Sequence, residues 1–139
     1  MADLSVTAAN VLKGANAKTS LGIAGATITA GIPVYIDRAD NKYKIADANL
    51  TPDVAGIALH AAVDTEPLEV DWDDDDFTPG VALSLAAATG GVFVLSAAAG
   101  KICPHSDLAS GMYPVHLFVA KSATKANLKI ISGGAVLGA

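Results

Sequence analysis

The chain predicts an all-β fold: a compact, single-domain β-barrel or β-sandwich of short antiparallel strands with little helix. Three observations predict it. Apolar residues nowhere sustain the i, i+3, i+4 spacing of a long helix, and Gly or Pro interrupts the chain at short intervals. Short runs rich in Val, Ile, Tyr and Phe recur between turn residues, as in barrels and sandwiches. The length of 139 residues suits one core and is too short for two comfortable ones, so residues 1–139 read as a single domain.

The elements follow in order. "LSVTAANVL" (4–12) alternates and lacks Pro, so Leu4, Val6 and Val11 read either as an internal strand or as an arm (1–12) that adds to the sheet edge of a partner. "ATIT" (26–29), "PVYID" (33–37) and "KYKIA" (42–46) come next, the last two joined by "RADNK", whose Asp40-Asn41 tolerates left-handed backbone and predicts a hairpin. "VAGIAL" (54–59), "PLEVDW" (67–72) and "VALSL" (81–85) continue the series. "GVFVLS" (91–96) and "GKIC" (100–103) suggest a second hairpin, in which Gly91, Val94, Ala99 and Ile102 take the parts of Gly31, Val34, Ala39 and Ile45. "YPVHLFVA" (113–120) and "NLKII" (127–131) complete the strands. Single helical turns are predicted in "LAAATGG" (85–91) and in "HSDLASG" (105–111), the latter with Ser106 as N-cap and Gly111 past its end. "AKTSLGIAGA" (17–26) has no clear period, and "GGAVLGA" (133–139) reads as a flexible tail.

Charge and composition exclude several classes. Asp71, Asp73, Asp74, Asp75 and Asp76 account for the net charge of −5, and the remaining nine acids balance nine bases. The eight lysines and Arg38 are scattered, whereas nucleic-acid binding needs them clustered. No apolar run has the ~18–20 residues that span a bilayer, so no membrane partner is expected. "MADLSV" has neither a basic n-region nor an apolar h-region, which leads us to expect synthesis without a secretory signal. Cys103 is the single cysteine, so no internal disulfide forms, and seven aromatics make a core of small side chains that favours association with a partner subunit.

The stretch "VDWDDDDFTPG" (70–80) looks most like chemistry. Asp71, Asp73 and Asp75 fall on the D-x-D-x-D positions of a calcium loop, but Asp76 stands where the loop turns on Gly and Ala82 where it needs a bidentate Glu. Glycoside hydrolysis needs two carboxylates facing across a cleft, which one contiguous run does not supply. The run therefore reads as an exposed acidic loop after a strand. Trp72 and Phe77 pin its ends or, together with the aspartates, anchor a protein contact.

Other motifs fail at named positions. Cys103, His105, His60 and His116 supply four zinc donors without closely spaced ligand pairs. His105, Ser106 and Asp107 are adjacent in "PHSD", whereas triad members converge from separate segments. "SATK" (122–125) links two predicted strands instead of opening a helix, and "GK" (100–101) has Leu95 and Ile102 where a phosphate loop needs Gly and Ser or Thr. No catalytic residue, metal or cofactor is assigned. The enzymatic alternative is a glycan hydrolase using the acidic loop.

Read together, "VTAANVLKGANA", "GATITAGIPVYIDRADNKYKIADAN", "VAGIALHAA" and "GGVFVLSAAAGKICPHSDLASGMY" resemble small virion proteins of tailed bacteriophages, the capsid decoration or cement proteins, over roughly residues 5 to 131. The resemblance implies a β-rich, non-enzymatic domain on the outer surface of the virion, assembled in the host bacterial cytoplasm. It binds the major capsid protein and ties capsomers together as a homo-oligomer, with a trimer favoured and a dimer as the second choice. The alternative it leaves open is another virion component: a head-fibre base, a tail or baseplate module, or a receptor-binding β-domain. "DWDDDDFTPG" departs from the family pattern, which continues on both sides of it.

Overall fold

In the computed structural model, which describes residues 3–50, 53–83, 85 and 91–132, the β-branched runs pair into one curled antiparallel sheet, a half-barrel. Its strands are β1 (Val11–Leu12), β2 (Lys18–Ile23), β3 (Pro33–Asp37), β4 (Lys42–Ile45), β5 (Gly56–Ala58), β6 (Pro67–Pro79), β7 (Val92–Leu95), β8 (Ile102–Pro104), β9 (His116–Ala120) and β10 (Ala126–Ile131). The path runs β4-β3-β5-β6-β10-β9-β7-β8, with β1 and β2 also bound to β6. Ala8–Asn10 and His105–Asp107 form short 3-10 turns.

The 13-residue β6 is the hub. One edge pairs with β2 along residues 67–73 and with β1 at Thr78 and Pro79. The other edge pairs with β5 at Val70 and Asp71, then with β10 at Asp73, Asp74 and Phe77. The strand also serves two cores. Leu68 and Val70 face a cluster with Ala24, Ile28, Val34, Tyr43 and Ala58, whereas Phe77 enters a larger cluster with Ile57, Phe93, Leu117, Phe118 and Leu128. Successive strand residues point to opposite faces. One strand can therefore fill one core from one face at its start and the other core from the opposite face at its end.

Curling brings the far end of β2 to β4. The Gly25 N–H donates to the Tyr43 carbonyl at 2.8 Å, and Ala24 and Tyr43 form a parallel bridge. The predicted β3–β4 hairpin forms as expected. Asn41 adopts φ 58°, its N–H donates to the Asp37 carbonyl at 2.7 Å, and the Asp37 and Asp40 carboxylates accept the Ala39 and Lys42 N–H groups. The second hairpin, β7–β8, also pairs, from Phe93↔Pro104 to Leu95↔Ile102.

Some expectations need correction. Only Val11 and Leu12 of the 4–12 run are strand; Leu4 donates its N–H to the Ile102 carbonyl and Thr7 to the Gly80 carbonyl, both at 2.8 Å. Leu4 and Val6 are partly buried against the larger core, and Val11 is buried in it. Gly80 is required there because it adopts φ +78° and a Cβ would lie 2.6 Å from the Thr7 carbonyl oxygen. "ATIT" contributes a single bridge, Ile28↔Ala62, while β2 forms where no period was visible. The described part of 81–85 is not strand. Ser106 lies inside its 3-10 turn, which Pro104 precedes, and Gly111 with φ +90° follows no helix. The expectations for 86–90 and for the 133–139 tail lie outside the described residues.

The Phe77 ring is fully buried, with its centroid 6.1 Å from that of Phe118, and Phe118 lies 5.3 Å from Phe93. Phe77→Ala should cost about 3–5 kcal/mol of unfolding free energy, the usual loss for a buried aromatic. Urea unfolding followed by circular dichroism measures it, and a loss below about 1 kcal/mol would contradict the packing.

Candidate functional site

The acidic run is not an exposed loop. It lies in the middle of β6, and Asp71 and Asp74 are completely buried. Two register shifts explain how aspartates reach the interior. Opposite β2, Lys18 and Thr19 pair with Asp73 and Asp71, so Trp72 is an extra residue. Opposite β10, Ala126 and Leu128 pair with Phe77 and Asp74, which inserts a second extra residue between them. Each bulge adds one residue to β6 and resets its alternation. Asp71, Asp74 and Phe77, three apart, thereby share the face of the larger core, opposite Ile57, Leu128 and Ala126 of that core.

Asp74 fills a gap in the sheet edge where the chain passes between β1 and β2. Its Oδ2 accepts the Gly14 N–H at 2.7 Å and its Oδ1 accepts the Asp76 N–H at 3.0 Å. The approach is so close that a side chain at Gly14 would collide with Asp74 and Asp76. Burial works to raise the Asp74 pKa. The hydrogen bonds from Asp71 and from the two backbone N–H groups, with the Lys125 charge, outweigh it and hold the carboxyl below the usual aspartate range.

Asp71 has the opposite balance. Among the described residues neither of its oxygens accepts a hydrogen bond at normal geometry. Burial, the hydrogen bond shared with Asp74 and the negative charge of Asp74 push its pKa up to about 8. At neutral pH Asp71 is therefore a neutral acid that donates its proton to the Asp74 carboxylate. The buried pair then carries one negative charge instead of two.

The other acids face outward and are matched by lysines. Lys18 lies 3.9 Å from Asp73 and 5.9 Å from the Trp72 ring centre. Lys121 and Lys125 lie 3.7 and 3.8 Å from Asp76, and Lys121 also donates to the Asp75 carbonyl at 2.5 Å. Such exposed pairs contribute about 0–1 kcal/mol each, so they dissipate charge more than they stabilise. Phe77 does pin the run to the core. Trp72 does not: it stays 38% exposed, with its Nε1–H donating to Ser20 Oγ at 3.2 Å.

The remaining candidates have structural surroundings. Burial pushes the Cys103 thiol up to about 11, leaving it protonated and a poor nucleophile. His60 Nε2 accepts the Glu69 N–H at 3.1 Å, and His116 Nδ1 lies 2.9 Å from the Lys129 carbonyl, where it donates. Among the described residues no three His, Cys, Asp or Glu side chains gather where a metal ion would be held. Among them also, no helix is long and apolar enough to cross a membrane. Family models, curated proteins and solved structures were compared with the chain, and none matches.

The proton on Asp71 has a measurable consequence. The unfolded chain releases it near 3.8 and the folded chain near 8, so folding stability falls as pH rises between these values and levels off above them. Asp71→Asn keeps a donor for Asp74 and abolishes this titration. From pH 4 to pH 9 the variant should gain on the order of 5 kcal/mol relative to the wild type. Urea titrations across that range test it; parallel pH profiles would show that Asp71 titrates normally. Asp74→Ala leaves the Gly14 and Asp76 N–H groups without their acceptor and should cost about 1–3 kcal/mol at neutral pH in the same assay.

Proposed function

We propose that the protein is a non-enzymatic structural component of a phage virion, a decoration or cement protein that binds the outside of the assembled head. Its partner on this reading is the major capsid protein, and its place of assembly the host bacterial cytoplasm. The observation that carries the reading is the fate of the acidic run. The stretch of sequence that most resembled an active site is the longest strand of the sheet, and its buried carboxyls are engaged with each other and with backbone N–H groups. The order of phrases shared with the decoration proteins supports it from the sequence side, as does a β-rich chain built on short strands and small side chains.

Cement proteins act by occupying many equivalent shell sites, so modest single contacts sum through effective concentration. On this reading the purified protein rebinds to expanded heads that lack it and raises the temperature at which they disrupt. Heads that take up none of the protein and are as robust without it would overturn the assignment. Labelled antibody should decorate the shell of the particle; label confined to the tail would favour a tail or baseplate role instead.

A further inference from the structure

Five strands curl around the larger core in the order β6-β10-β9-β7-β8, and strand pairing does not close the ring they begin. β8 pairs with β7 on one edge; on the other, its Ile102 carbonyl accepts the Leu4 N–H at 2.8 Å. Across the opening the Thr7 N–H donates to the Gly80 carbonyl at 2.8 Å, one residue past the end of β6, and β1 then pairs with Thr78 and Pro79. Residues 4–7 therefore cross the seam between β8 and β6. Three residue steps reach at most ~11 Å, about two strand spacings, so the seam is no wider than the place of one missing strand.

The crossing segment is held chiefly by its ends. At the β8 end is Ser96, which with Asp71 and Asp74 makes up the buried polar side chains among the described residues. Its hydroxyl donates to Asp3 Oδ1 at 2.6 Å and accepts the Ala98 N–H at 3.1 Å. At the β6 end stands the bond from Thr7 to Gly80. Between the two, Leu4 and Val6 are only partly buried and Ser5 is exposed, and the turn Ala8–Asn10 has no buried residue and no side-chain cap. Beneath the segment lies a cavity of about 140 Å³ that Leu4 and Val6 share with Ala30, Ile32, Ile45 and Ile102. Half-buried apolar contacts over a cavity, with few hydrogen bonds, mark a segment that opens at lower free energy than the core.

A reporter for such opening is built into the chain. Ile102 points into the larger core, and the next residue, Cys103, faces the opposite way yet is also buried. The Ser96 side chain bonds to its thiol, and Asp3 lies close enough for its charge to act there. The contact that ties down the start of the segment thus sits beside the single cysteine of the sequence.

We propose that residues 3–10 form a strap that closes the seam between β8 and β6 and opens as one unit while the sheet stays folded. Opening bares the outer edge of β8 at Ile102, the cavity under Leu4 and Val6, and the Cys103 thiol. Ser96 is the latch: its hydroxyl holds Asp3 down. The strap is argued independently of the capsid reading.

Thiol labelling of the purified full chain tests it. Cys103 is reacted with an aromatic disulfide reagent at fixed pH and low urea concentrations, beside urea unfolding of the same protein. Labelling of the wild type should be nearly independent of urea below the unfolding transition, because moving the strap exposes little surface, and should give an opening free energy smaller than that of global unfolding. Asp3→Ala removes a charge-assisted hydrogen bond and should speed labelling about tenfold. Thr7→Pro removes the N–H at the other end, leaves the surroundings of the thiol as they are, and should speed labelling several-fold if the strap moves as a unit. Labelling that rises with urea as steeply as unfolding does, or that Thr7→Pro leaves unchanged, would overturn the proposal.

Discussion

The structure depends on one strand keeping its backbone ladder on both edges while it passes from one core to another. β6 changes its buried face between Val70 and Asp71: Val70 faces the smaller cluster opposite Ala58, and Asp71 faces the larger one opposite Ile57. No side chain alone could join the two clusters so directly. A long strand must keep satisfying its own N–H and C=O groups, and β2, β5, β10 and β1 divide that task along its length.

The crossover has an electrostatic cost that the aspartates resolve among themselves. Placing Asp71 and Asp74 on a core face would be prohibitive if both were ionised. One proton shared between them leaves a single negative charge, already surrounded by backbone N–H dipoles and by Lys125. The outward acids lie beside water and lysines. A run that looks uniform in sequence thus holds two populations of carboxyl group, separated by which way the pleat and its bulges turn them.

Much of the fold was legible in local chemistry. "PVYID" and "KYKI" appear as β3 and β4 because Asp40-Asn41 fixes their turn from within the segment. β7, β9 and β10 follow from dense β-branched and aromatic runs. What was hidden depends on partners distant in sequence. β2 escaped notice because its apolar residues face out and Gly22 is kept small beneath the Tyr43 ring, a contact no local pattern announces. The three-residue spacing of Asp71, Asp74 and Phe77 belongs to neither a flat strand nor a helix; it exists because Lys18–Thr19 and Ala126–Leu128 impose register shifts on β6. The four adjacent aspartates suggest a loop in isolation, but they lie in strand, with Asp74 turned inward onto the Gly14 and Asp76 N–H groups and Asp73 and Asp76 turned out toward lysines.

The position of β6 in the chain also sets a timetable. Its partners come from residues 11–23, from 57–58 and from 126–131, so neither edge can be closed by a neighbour a few residues away. Pairings across such separations must meet the entropy of large loops before they are rewarded, which places folding of this chain among the slower β topologies. During synthesis β1 and β2 wait for the acidic strand, and that strand then waits with one edge largely open until β10 emerges. An edge left open for that long is the kind that invites pairing with another chain, and like charges along it oppose the approach of a second copy.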